Sequence, residues 1–355
     1  MMENRISKNY NAYIKEVEWL LQNIKITSNT SFKLGDQICE ISNATIQKNS
    51  EESDVKESLT ASLATYLYQL KHCRQSLIDE CVEQYQNSFD VRNHVRIFVE
   101  LLSKANSSVG NWEPGWLVHK FGKNGKIIVK KNDLMLWVLP HQLGLLDYRQ
   151  AHIGDKCYVA MVKEFRELLP GYYMANGNTS LPEQPFITRI YWNITSDGAI
   201  LLLKSLTTEL NNENIPFQFK ILKNEDQYTR ADAGVLYMDK TDIKIAVNAL
   251  STVYDKIKSY LKPSVPLFAK KLVSGISLAE DPTNGESFGQ HRTRLFAEAI
   301  YDVYSKNTSV LEDKIKQVRK YFKTHSVDFN KPYLKNDESK DEYDKVLAGV
   351  FEWDQ

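Results

Sequence analysis

The chain is predicted to be an α+β protein, with an N-terminal helical region followed by a mixed or antiparallel sheet domain with flanking helices. Three observations predict this class. Apolar residues recur at helical spacing through the first hundred positions. After residue 105 the pattern changes to short alternating runs separated by glycine turns. The later elements then run strand–helix–strand–strand–helix, without the regular βαβ alternation of a parallel sheet.

The helical expectation rests first on Ile14, Val17, Trp19, Leu20, Leu21 and Ile24, then on Leu59, Leu63, Tyr66, Leu67 and Leu70. Between them Asn43 to Lys56 is rich in Ser, Asn and Glu and reads as a loop. A long helical stretch is expected from Leu59 to Ala105, broken near Asn87. Asn106-Ser107-Ser108-Val109-Gly110-Asn111 ends it, which puts a domain boundary at 105/106: residues 1–105 helical, residues 106–355 α+β.

Past that boundary, Gly115–Phe121 and Lys126–Lys131 flank Gly122-Lys123-Asn124-Gly125, a hairpin signal. Leu134–Val138 is an apolar strand. Asp155–Leu168 reads as a helix stopped by Pro170-Gly171. Arg189–Ile194 is a strand and Ala199–Asn211 a helix. Phe217–Leu222 and Gly234–Met238 are strands. Asp242–Leu261, Ser287–Tyr304 and Leu311–Phe322 are helices.

Composition excludes more than it selects. With 45 basic and 45 acidic residues in 355, net charge is zero and no basic field exists for nucleic acid. Hydrophobic content of 42% and charged content of 25% fit a soluble globular chain. No run of about 18 apolar residues is present to span a membrane, and the N-terminus lacks an apolar signal core. Cys39, Cys73, Cys81 and Cys157 are scattered with no C-x-x-C pair, as for free thiols in a reducing cytoplasm. No Walker loop, G-x-S-x-G or H-E-x-x-H occurs.

Against that background one constellation stands out. Lys220 lies between Phe219 and Ile221 in an alternating run, which puts it on the face of Gln218 and Leu222. A lysine there is ordinarily solvent-facing. Beside a cavity it is a candidate base. Arg189, Arg230, Arg292 and Arg294 are each unremarkable singly. As a set they offer planar guanidinium groups that bind phosphate bidentately. Tyr191 shares a strand face with Arg189, and His291 precedes Arg292 near a helix start; either is a candidate proton donor.

Long motifs around these residues resemble the HopA-type effector domain, named for a bacterial type III secreted effector. They are Tyr172-Tyr173-Met174-Ala175-Asn176-Gly177, Arg189-Ile190-Tyr191-Trp192-Asn193, Ile215 to Lys220, Tyr228 to Tyr237, Pro266 to Leu272, and Leu278-Ala279-Glu280-Asp281-Pro282 continued by Gly285 to Arg292. The resemblance covers roughly residues 110–320; residues 1–105 match only in being helical.

The family also occurs as standalone proteins in class V lanthipeptide and thioamitide gene clusters. There its role is similar to that of a phosphoserine/phosphothreonine lyase, a carbon–oxygen lyase acting on phosphate. The resemblance thus implies a bacterial cytoplasmic protein. It would eliminate phosphate from a phosphorylated precursor peptide, giving dehydroalanine or dehydrobutyrine, and would work with a separate kinase-like protein, as a complex. Such an elimination needs no metal and no cofactor, and the charge balance and hydropathy above point to no nucleic acid and no membrane. Residues 1–105 would dock peptide or kinase.

A fainter similarity is to effector phosphothreonine lyases, which order a lysine–aromatic–histidine strand, a tryptophan–lysine strand and an arginine leading a strand. Arg189-Ile190-Tyr191, Phe219-Lys220 and Arg230 follow that order, with arginine in place of the first lysine and tyrosine in place of the histidine. On this resemblance Lys220, Tyr191 and His291 are catalytic, and Arg189, Arg230, Arg292 and Arg294 bind phosphate. Lys270 and Lys271 are the reserve bases. The rival readings are a non-catalytic adaptor or effector that binds a protein partner, and a scaffold presenting the precursor to a kinase.

Overall fold

The computed structural model describes residues 2–40, 52–75, 89–145, 150–282, 285–347 and 350. In chain order its elements are α1 Met2–Asn23, β1 Ile24–Ser28, β2 Ser31–Leu34, β3 Gln37–Glu40, α2 Glu52–Leu67, α3 Phe89–Ala105, β4 Asn111–Phe121, β5 Ile127–Lys131, β6 Leu134–Val138, β7 Leu143–Gly144, β8 Lys156–Met161, β9 Glu164–Leu169, β10 Tyr172–Asn176, β11 Ile187–Trp192, α4 Ser196–Asn212, β12 Gln218–Leu222, β13 Gly234–Asp239, α5 Val247–Ile257, β14 Lys270–Val273, β15 Ile276–Glu280, α6 Phe288–Ser305, α7 Leu311–Thr324 and α8 Tyr343–Val346. The class is α+β as expected, and the strand pairs named below are all antiparallel.

Contacts divide the chain into two compact units. The first holds residues 1–81, 230–232 and 263–341; the second holds 82–229, 233–262 and 342–355. The expected boundary at 105/106 thus falls inside the second unit, whose first element is α3.

In the first unit, α1, α2, α6 and α7 supply the apolar core. Val17, Leu20, Leu21, Leu59, Leu63, Phe296, Ile300, Val318 and Phe322 are all buried. Here the sequence reading needs correction. Ile24 to Glu40 forms a three-stranded sheet, not helix. Ile24, Ile26 and Phe32 are its buried residues, at the period of a strand. Gly35, at φ +58°, turns β2 into β3 through Gly35-Asp36.

The long helix is also interrupted earlier than Asn87. After α2 the backbone widens into a π-helical turn at Tyr68–His72 and leaves the helix at Cys73, with Arg74 at φ +60°. Asn87 lies outside the described residues, as do positions 43–51 of the expected loop. Lys56, at the end of that loop, is already in α2.

The second unit carries two sheets. One is ordered β6-β5-β4-β8-β7, the other β11-β13-β12-β10-β9. The hairpin over 122–125 is present between β4 and β5. Trp116, Val118, Val129, Ile127, Cys157 and Val159 form the buried face of the first sheet.

The expected helix at 155–168 is two strands. Cys157 and Val159 are buried while Lys156 and Tyr158 are exposed, a period of two that overrides the helix-forming composition. Each strand joins a different sheet, β8 against β4 and β9 against β10.

In the second sheet Ile190, Trp192, Phe219, Ile221, Leu236, Met238, Tyr173 and Ala175 are all fully buried on one face. α4 and α5 supply Leu202, Leu203, Leu206, Leu250 and Val253 to the same core. Each such side chain contributes about 1.5–3 kcal/mol by leaving water. α4 begins where Thr195 caps the N–H of Gly198. Gly198 is there because a Cβ would sit 2.4 Å from that of Tyr260.

Candidate functional site

Strand register places three of the sequence-predicted residues together. β11 pairs with β13 so that Arg189 lies opposite Tyr237 and Tyr191 opposite Val235. β13 pairs with β12 so that Tyr237 lies opposite Gln218 and Val235 opposite Lys220. β12 pairs with β10 so that Lys220 lies opposite Met174 and Leu222 opposite Tyr172. Residues directly opposite in an antiparallel pair share a face. Arg189, Tyr191 and Lys220 therefore stand on one face of the sheet, opposite that of Ile190, Phe219 and Leu236.

Their burial differs. Lys220, Tyr237, Gln218 and Tyr172 are half-buried, whereas Arg189 is 9% exposed and Tyr191 only 2%.

The two cations are held by tyrosine rings. The Lys220 ammonium lies 4.5 Å from the centre of the Tyr172 ring and 5.9 Å from that of Tyr237. The Arg189 guanidinium lies 5.1 Å from the Tyr237 ring. Tyr237 thus touches both cations. No carboxylate among the described residues comes within ion-pair distance of Lys220. Ring faces attract cations without neutralising them, so the positive charge stays available to an anion. Tyr237 and Tyr172 are the residues of this cluster that sequence reasoning passes over. Tyr237 is two positions from Val235 on its strand, and its place against Arg189 follows only once register is known.

The remaining sequence-predicted residues belong to the first unit, where each has partners of its own. Arg230 does not lead a strand; it lies in the turn before β13. Its Nε and Nη2 both donate to Asp232, at 2.8 Å each, and Asp232 is also 3.9 Å from His72 Nε2. The Arg292 side chain is fully buried. It donates from Nε to the Pro332 carbonyl at 2.7 Å and from Nη2 to those of Leu334 and Lys335 at 2.6 and 3.2 Å. Arg294 forks onto Glu286 at 2.9 and 2.7 Å and reaches Glu298 at 3.0 Å.

Nδ1 of His291 lies 2.5 Å from Nη1 of Arg292 and accepts a hydrogen bond from it. Burial, with Arg292 and Arg294 beside it, pushes the His291 imidazole down to about 4. It is therefore neutral at physiological pH. Of the reserve bases, Lys270 meets Tyr333 Oη at 3.2 Å and Asp341 at 3.3 Å, and Lys271 is exposed.

No group of metal-ligating side chains forms among the described residues. None of their helices is long and apolar enough to cross a membrane.

The second unit is thus defined by an antiparallel sheet that carries, on one largely buried face, two cations over tyrosine rings. Residues 165–334, which include every sequence-predicted site residue, match the family model of the HopA1 effector protein family. The chain carries a HopA1-type region over that stretch, beginning later than the resemblance at residue 110 implies. Solved structures similar to the chain include the effector protein from Pseudomonas syringae pv. tomato strain DC3000. It is 15% identical, covers 82% of this chain and 92% of that one, and has a TM-score of 0.43. The effector protein from Pseudomonas syringae pv. syringae strain 61 is 13% identical, covers 78% of this chain and 99% of that one, and has a TM-score of 0.41. No curated protein matches the chain.

Proposed function

We propose that this HopA1-type protein is a phosphoserine/phosphothreonine lyase acting on a phosphorylated peptide. The observation that carries the reading is the Lys220 ammonium, paired with no carboxylate among the described residues, on the same sheet face as Arg189 and joined to it through the Tyr237 ring.

β-Elimination needs a base at Cα and a cation at the leaving phosphate. In the proposed reaction Arg189 binds the phosphate through charge-assisted hydrogen bonds. Lys220 takes the Cα proton after its ammonium has given one proton to solvent. The released electron pair forms the Cα=Cβ double bond, the Cβ–O bond breaks, and inorganic phosphate leaves with that bond's electrons. The products are phosphate and a dehydroalanine or dehydrobutyrine residue.

Tyr191, on the same face, is the proton donor of this scheme. A phosphate departs readily, so the donor contributes about 10²-fold, at the low end of general acid catalysis. The scheme does not draw on His291, Arg230, Arg292 or Arg294, whose side chains are engaged within the first unit.

A separate kinase-like protein would supply the phosphorylated precursor, and the two would work as a complex in the bacterial cytoplasm. The test is a synthetic phosphothreonine peptide incubated with the protein alone. Phosphate release with a peptide lighter by one water than its unphosphorylated form is expected. Recovery of free threonine would mean hydrolysis and overturn the proposal.

A further inference from the structure

The face and edge of the other sheet in the second unit present a separate feature. β6 is the last strand of its sheet on one side. An edge strand offers a row of backbone N–H and C=O groups, and proteins ordinarily guard such edges with charge, proline or a covering segment. β6 reads Leu-Met-Leu-Trp-Val, with no charge and no proline. Leu134 is 62% exposed, Met135 44% and Trp137 61%.

Register assigns the outer face of this edge. Trp137 lies opposite Ile128, and Ile128 opposite Lys120. Met135 lies opposite Lys130, Lys130 opposite Leu117, and Leu117 opposite Lys156. Two rows of side chains therefore run away from the edge: Trp137, Ile128 and Lys120, with the cation at its far end, and Met135, Lys130, Leu117 and Lys156, in which apolar and cationic alternate. No strand position of this face is an aspartate or glutamate. At one end of it a depression of about 570 Å³ is lined by Lys120, Lys123, Lys126, Phe121, Ile128 and Trp137.

We infer that β6 and this outer face dock an acidic peptide segment, which adds to the edge as a further strand. Backbone pairing along β6 supplies affinity without sequence demand, and the side chains of the added strand meet the outer face at every second residue. Apolar ones reach Trp137 and Met135; carboxylates meet the lysines. Single-stranded nucleic acid fits less well, because it has no backbone amides to pair with the edge. The rings of Trp112, Trp137 and Tyr158 on this face also come from three different strands, with no two in directly paired positions.

The test uses the full chain and a fluorescent synthetic peptide of alternating glutamate and leucine, about ten residues long to exceed the strand it pairs with. Binding that weakens with added salt is expected. Trp137→Ala, and separately Lys120→Glu with Lys130→Glu, should each weaken it at least about tenfold, as loss of an anchor or of charge pairs does. The same peptide N-methylated at alternate residues should not bind, because it cannot pair with the edge.

Four outcomes overturn the inference. They are no binding of the glutamate–leucine peptide, equal binding of a lysine–leucine peptide, equal binding of the N-methylated peptide, and equal binding of a thymidine oligonucleotide that the same substitutions abolish. A concentration-dependent dimer that excludes the peptide would instead assign the edge to a second copy of the chain, and would also overturn it.

Discussion

The Lys220 ammonium sits 4.5 Å from the centre of the Tyr172 ring, although Lys220 and Tyr172 are not a directly opposed pair. Met174 is the residue opposite Lys220, and Tyr172 is its diagonal neighbour, two positions away along β10. A diagonal neighbour on an adjacent strand is within reach of a long side chain. The lysine is therefore steered along the sheet face by a ring and not by a carboxylate, which fixes its position while leaving its charge unneutralised. Lys220→Ala is expected to lower elimination from the phosphothreonine peptide by at least about 10²-fold, the usual contribution of a general base, with peptide binding little changed. Single-turnover phosphate release measures the first and fluorescence anisotropy the second. Near-normal turnover in this variant would remove Lys220 as the base.

Arg189 carries a different expectation. A guanidinium that grips the phosphate does so before the transition state as well as in it, so its loss appears in binding. Arg189→Gln should weaken phosphopeptide affinity by about 1.5–3 kcal/mol, the range for hydrogen bonds to charged groups. Affinity for the unphosphorylated peptide should not change. Equal weakening of both peptides would mean that Arg189 serves the sheet and not the phosphate. The discriminating measurement is titration calorimetry with the two peptides in parallel.

Arg292 and Arg294 should separate cleanly in stability. The Arg292 guanidinium is buried and satisfies the carbonyls of Pro332, Leu334 and Lys335. Arg292→Met would leave three acceptors unsatisfied, each worth about 1–3 kcal/mol. The segment at 332–335 should lose its anchor, with a large fall in the urea midpoint. The Arg294 side chain is 37% exposed, and its pairs with Glu286 and Glu298 lie near the surface. Such pairs contribute about 0–1 kcal/mol, so Arg294→Gln should shift the midpoint only slightly. A phosphopeptide-binding defect in Arg294→Gln without loss of stability would restore it to the phosphate site.

Part of this was legible in the chain and part was not, for reasons that differ by element. The hairpin at 122–125 was readable because its signal is local: glycines flanking two residues between alternating runs. Lys220's face was readable because strand alternation is strict. The strands β8 and β9 were misread because Lys163, Glu164, Arg166 and Glu167 carry helix-forming side chains, while the apolar period that decides the matter spans only Cys157 to Val159. The small N-terminal sheet was missed although Gly35-Asp36 is a two-residue turn signal. The partners of Arg292 lie about forty residues away in sequence, and no spacing rule reaches them. The tyrosine rings over the cations depend in the same way on a register that only the folded sheet sets.

His291 provides the pH expectation. Its imidazole is pushed down from 6.5 to about 4 by burial and by Arg292 and Arg294, opposed by Glu286. The folded state therefore resists protonation that the unfolded state accepts. Between pH 6.5 and 4 the unfolded chain binds more protons at this residue, so stability rises with pH across that window and falls on acidification through it. Above 6.5 both states are neutral at His291 and the contribution is constant; below 4 both are charged and it is constant again. His291→Gln keeps a hydrogen-bonding side chain but cannot titrate. Thermal melts of the two proteins should run parallel above pH 6.5. Below it the wild-type midpoint should fall more steeply, by the amount that His291 alone adds. Identical slopes in the two proteins from pH 6.5 to 4 would show that His291 is protonated as easily folded as unfolded.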